Sequence, residues 1–171
     1  GTMTLVRLRE RAQITLPLPP AGIPMAIPAP FNDQVTSIRW NLDTNAVLTF
    51  FENGNLTGRE YCVTHDRPRV GGTTNLGTYY NDKLSSLIWN YADPSQGWVR
   101  YFTNTNKGGY QLTRYLSQLI GNDIPLISLG YNDQVDSIEW SLPPTKTVMC
   151  YDENPAGGKA LPLIDSGYYA N

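Results

Sequence analysis

The sequence predicts an all-β fold of Greek-key units, and three observations carry that prediction. A ten-residue pattern occurs three times, at residues 31–40, 80–89 and 131–140. Each copy reads aromatic, Asn-Asp, two variable positions, a short polar residue, Ser, an aliphatic, one further residue and Trp. The spacing from Trp40 to Trp89 to Trp140 marks internal duplication, and duplication sets the architecture. A hairpin pattern follows each Trp: Phe51, Phe102 and Tyr151 each stand seven positions before a Gly, across a polar stretch. Hairpin, connecting segment, turn and strand then recur in that order. Four strands with a long return connection make a Greek key.

Residues 4–16 alternate Val6 and Leu8 with arginines, then Ile14 and Leu16 around Thr15, which predicts a short strand pair. Pro17, Pro19, Pro20, Pro24, Pro28 and Pro30 follow. That density excludes a helix or a central strand and favours an extended connection or edge. The PxxP spacings would also suit an aromatic-lined groove on a partner, although a stiff connection explains them more simply. In each repeat Asn-Asp opens a turn, because both residues tolerate the left-handed region and bond their own backbone. Alternating residues then run to the Trp as a strand. Val47–Phe50, Trp98–Tyr101 and Thr147–Cys150 lead into the hairpins. Gly58, Gly109 and Gly158 sit where positive φ or close backbone approach is needed. Leu112, Tyr115, Leu116, Leu119 and Ile120 fall at helical spacing, which predicts one short helix over 110–121.

The chain has 171 residues, 40% hydrophobic and 16% charged, with a net charge of −2. Nothing in that balance points to nucleic acid or an anionic membrane. No apolar run reaches the length of a membrane span. No segment identifies a compartment; the reading leans extracellular. Cys62 and Cys150 fall in different halves, which predicts two free, mostly buried thiols.

The aromatic-x6-Gly hairpin and the Asn/Asp-Asn/Asp-x-x-Ser/Thr-Ser turn, which Asn32–Ser37 and Asn81–Ser86 fit at every position, resemble the βγ-crystallin superfamily, especially its microbial calcium-binding branch. The resemblance covers most of residues 31–171. It implies a β-sandwich of two Greek keys per domain, hence two packed domains, 1–91 and 92–171, carrying motifs at 4–41, 42–91, 92–141 and 142–171. The first motif has only a shortened hairpin at Arg7–Thr15. The fourth ends before its turn and last strand, so either it is truncated or another strand fills the gap, with Leu5–Arg9 the first candidate.

The resemblance also implies calcium as the bound ion. The turn's second acid and its fifth-position hydroxyl act as side-chain ligands, with carbonyls from the turn and from the residue after the partner hairpin's aromatic. Carried over, Asp82, Ser85 and the Lys83 carbonyl serve one site, and Asp33, Thr36 and the Gln34 carbonyl another, completed by Glu52. Asp133 and the Gln134 carbonyl serve a third, where Asp136 replaces the hydroxyl. Hard oxygen ligands of this kind are what calcium takes. The competing reading of the residues is a set of Asx-capped turns with no ion.

Catalysis has little support in the residues. His65 is the single histidine, and Cys62-x-x-His65 has no further Cys or His nearby to make a zinc site. The expected function is that of a non-enzymatic, calcium-stabilised structural or stress protein. A binding module for a glycan or protein partner, and a secreted inhibitor or toxin, are the alternatives. An inhibitor would present residues 17–30 or 64–77 as a rigid exposed loop. A β-trefoil is the alternative fold.

Overall fold

Apolar–polar alternation becomes antiparallel pairing throughout the computed structural model, which describes residues 1–64, 69–91, 97–119, 131, 134–153 and 157–170. The chain divides into two compact units, Gly1–Pro94 and Ser95–Asn171. Regular structure is almost all strand. Among the described residues the helices, α1 (Gly77–Tyr80) and α2 (Leu116–Leu119), are single turns.

The strands of the first unit are β1 (Thr2–Arg7), β2 (Ala12–Pro17), β3 (Met25–Ala26), β4 (Ser37–Asn53), β5 (Thr57–Cys62), β6 (Arg69–Asn75) and β7 (Ser86–Tyr91). β1 and β2 form the expected opening hairpin. The first part of β4 lies between β1 and β6, giving the order β2, β1, β4, β6. The later part of β4 lies between β5 and β7, and β3 adds to β7, giving β5, β4, β7, β3. Each half thus borrows a strand from the other. β3, cut from the proline-rich segment, extends the second hairpin's ladder, and β6 extends the first.

The repeat pattern suggests one strand ending near Trp40 and another starting at Val47. The structure runs them together as β4. Ile38, Trp40, Leu42, Ala46, Leu48 and Phe50 are all buried, so the inward parity is unbroken through the intervening polar residues.

The second unit contains β8 (Trp98–Phe102), β9 (Gln111–Tyr115), β10 (Ser137–Ser141), β11 (Thr147–Glu153), β12 (Gly157–Ile164) and β13 (Ser166–Ala170). One sheet runs β9, β8, β10, β13. β11 and β12 form a separate hairpin. Val99, Tyr101, Leu112 and Ile138 from the sheet pack with Leu163 of the hairpin, and Val148 and Cys150 press against that core half-buried.

Two expectations are corrected. Residues 111–115 are strand, and among the described residues only 116–119 are helical. Pairing with β8 along the whole of β9 satisfies the backbone and overrides the helical spacing. The N-terminal strand does not complete the last motif either, because β1 is already paired on both edges within the first unit. Both cysteines are free, Cys62 buried and Cys150 half-buried.

Trp40, Trp89 and Trp140 stand at equivalent positions on β4, β7 and β10. Trp40 faces Gly72 across the ladder, and Trp140 faces Gly167. A Cβ on Gly72 would stand 2.8 Å from the Trp40 ring, and one on Gly167 would likewise strike Trp140. The glycines are the seats of the indoles.

Candidate metal centre

The repeated turns are anchored by side chains that the motif keeps constant. The leading aromatics Phe31, Tyr80 and Tyr131 are buried. The Tyr80 hydroxyl donates to the Glu60 carbonyl at 3.0 Å, and that of Tyr131 to the Gln111 carbonyl at 2.8 Å. Glu60 and Gln111 both lie two residues past a hairpin glycine, so each Tyr pins its turn to the hairpin below it. The closing Ser works the same way. Ser86 Oγ donates to Asn53 O at 2.6 Å and accepts the Leu56 amide at 3.2 Å. Ser137 Oγ donates to Asn104 O at 2.7 Å. These bonds hold the folded-over hairpin tips, where Asn55, Leu56, Asn106 and Lys107 all take positive φ.

Ser86→Ala leaves the Asn53 carbonyl and the Leu56 amide without their part-buried hydroxyl partner. It is expected to cost about 1–3 kcal/mol, read as a lower urea midpoint with unchanged slope. A loss within about 0.5 kcal/mol, the range of neutral surface changes, would remove the hydroxyl from this role.

The first two turns interlock. The Asp33 amide donates to Leu84 O at 3.2 Å, and the Asp82 amide donates to Val35 O at 3.1 Å. The exchange is reciprocal, as between two copies related by a local two-fold. Asp33 and Asp82 both have positive φ, at 54° and 56°, a conformation that Asp accepts more readily than most residues. The fully buried Val35 and Leu84 fix the turns from beneath.

This interlocking regroups the residues expected to bind together. Ser85 Oγ donates to Asp33 Oδ1 at 2.9 Å, so the first acid meets the second turn's hydroxyl rather than its own Thr36. Thr36 Oγ1 donates to Val6 O and accepts the Leu8 amide, each at 3.1 Å. Asp82 takes the amide of its neighbour Asn81 at 3.0 Å, as Asp33 takes that of Asn32 at 2.9 Å. The fifth residue of every turn bonds its hairpin alike. The Thr36, Ser85 and Asp136 amides donate to Val6, Phe51 and Phe102 carbonyls at 2.9, 2.8 and 2.9 Å.

The remaining candidates are distributed around this centre. Glu52 stands in a bulge between Phe51 and Asn53, and its carboxylate accepts the Arg59 amide at 3.2 Å. Gln34 is exposed, and its side-chain oxygen receives an Arg7 guanidinium N–H. Lys83 is half-buried in the second turn. Gln134 and Asp136 are exposed, and Asp133 lies outside the described residues. Among the described residues, no three His, Cys, Asp or Glu side chains converge as a metal-binding group. An ion here would depend on carbonyls and hydroxyls beside single carboxylates, a donor set that suits calcium.

Other candidates are placed as follows. Burial pushes the Cys62 thiol up from its ordinary pKa, and Thr64 Oγ1 lies 3.7 Å from it; His65 lies outside the described residues. Burial also raises the Cys150 thiol and the Tyr101 phenol beside it. Residues 17–30 lie along β7. Trp89 Nε1 donates to Pro19 O at 2.7 Å, and the Gly22 and Ile27 amides each donate at 2.8 Å, to Trp89 O and Ser85 O. Residues 69–75 of the second candidate loop are strand β6. No helix among the described residues is long and apolar enough to cross a membrane.

Sequence reasoning missed the two hydroxyl clasps and the exchange between turns. The constant Ser at the sixth motif position and the Tyr before Asn-Asp carried the signal for the clasps. Nothing local carried the exchange. Comparison with protein-family models and with curated proteins finds no match for the chain.

Proposed function

We propose that this chain is a non-enzymatic, calcium-binding protein of βγ-crystallin type, with a structural or stress role. The observation that carries the reading is the convergence of the Asp33 carboxylate and the Ser85 hydroxyl across two interlocked turns. Strand exchange between the halves of the first unit supports a paired Greek-key domain. The second unit, with one four-stranded sheet and a hairpin, is read as a second domain of the same kind. Raised pKa values keep both thiols neutral near pH 7, which supports a non-catalytic role, since a thiolate is the nucleophile.

Asp33 and Ser85 head the stronger site. The Asp82 site is weaker, because Thr36 is already engaged by the first hairpin. Titration calorimetry of chelator-stripped protein is expected to show one or two calcium ions bound at micromolar affinity or weaker. Asp33→Ala should abolish the tighter event. Absence of heat at millimolar calcium would leave the turns as Asx-capped structure alone.

A further inference from the structure

Asn53-Gly54 is the single Asn-Gly pair in the chain. An asparagine side chain is open to attack by the backbone nitrogen of the next residue, and glycine, with no Cβ, obstructs that attack least. Both residues are exposed. Unlike Gly58, Gly54 has no positive φ, and a Cβ built on it would meet no described atom within 4 Å. Neither backbone conformation nor packing demands a glycine there.

The pair is nonetheless gripped. Asn53 is the last residue of β4 and faces Thr57 across the ladder. Its carbonyl accepts the Ser86 hydroxyl at 2.6 Å, and the Gly54 carbonyl accepts that of Thr57 at 2.9 Å. Its side chain lies over Gly58, where a Cβ would stand 3.1 Å from Asn53 Cγ. In extended backbone ψ is about +135°, and closing a five-membered ring requires turning the Asn53–Gly54 peptide about that bond. The turn carries the Asn53 carbonyl away from Ser86.

We infer that Asn53 is a site of spontaneous deamidation locked by the Ser86 clasp, so that its conversion records how often the second hairpin's tip opens. The Gly54 nitrogen loses its proton to solvent and attacks Asn53 Cγ. The Cγ–Nδ2 bond breaks, and the nitrogen leaves as ammonia with a proton from water. Water then opens the cyclic imide at either carbonyl, giving aspartate or isoaspartate. The sum is an amide and water becoming a carboxylate and ammonium, with no oxidation. Isoaspartate adds a methylene to the backbone at the atom Ser86 holds, and either product adds a negative charge next to Glu52. The clasp is then permanently loosened. This does not depend on calcium binding.

The full chain is held at mildly alkaline pH, in buffer and in urea, and sampled over weeks. Residue 53 is read by peptide mapping, and isoaspartate by enzymatic methylation. Conversion is expected at residue 53 ahead of every other asparagine, and more slowly in the folded chain than in urea. Gly54→Ala, which the open space accommodates, should slow conversion about tenfold in both media. Ser86→Ala should speed it in the folded chain by at least about fivefold, because opening the tip no longer breaks that hydrogen bond. In urea Ser86→Ala should change nothing. The wild-type comparison of buffer with urea stands even where Ser86→Ala fails to fold. Conversion at residue 53 no faster than elsewhere overturns the proposal. So does a folded rate equal to that in urea, or a folded Ser86→Ala chain that converts at the wild-type rate.

Discussion

Saturating calcium is expected to raise the melting temperature of the first unit by roughly 10–20 °C over chelator. A ligand that binds only the folded state adds RT ln(1 + [L]/Kd), about 2.7 kcal/mol per site at a hundredfold excess. For a unit of this size, each kcal/mol is worth about 4–8 °C. Asp33→Ala should remove most of the rise, because it deletes the carboxylate that already meets Ser85. Asp82→Ala should remove less, since Thr36 is already bonded to Val6 and Leu8. Magnesium should not substitute, because it gives up its water reluctantly and demands a regular octahedron. Equal calcium-dependent rises in wild type and Asp33→Ala would place the ion elsewhere, and no rise in either would show that none binds.

Phe50→Ala is expected to be the most damaging single truncation of the first unit. Phe50 is wholly buried and pairs with Tyr61 on one side and Leu87 on the other. Phe→Ala in such a place costs about 3–5 kcal/mol, a large share of the roughly 5–15 kcal/mol that holds a domain together. Urea denaturation should show the first unit partly unfolded before denaturant is added. Cys150→Ala, at the equivalent place on β11, should cost far less, because that side chain is smaller and half-exposed. A Phe50→Ala loss below about 1 kcal/mol would mean the core collapses around the gap, as tolerant cores can.

Much of the fold is legible in the sequence, because the repeat marks parts that are local. The Asn-Asp turns, the hairpin glycines and the Trp strands each lie within about ten residues, where turn chemistry and period-two alternation act directly. What is not legible is non-local. Nothing near Asp33 says that its carboxylate meets Ser85, 52 residues away. Gln111–Tyr115 carry helical spacing, and only β8 alongside makes them a strand. Asn41 to Asn45 read as a loop, yet Leu42 and Ala46 keep the parity that lets β4 run on. The closing residues echo the segment before the third turn, but that echo does not say that β13 would pair with β10.

The seventeen residues of β4 give the first unit a shared spine. Its early residues are held by β1 and β6, and its later ones by β5 and β7. Neither half can fray at leisure while the other persists, since peeling either ladder unseats the same strand. The unit therefore melts as one foldon, in which a clasp lost at the second hairpin weakens the first as well. An ion seated between the two turns would then be felt at both ends of the spine, with no part of the chain having to move.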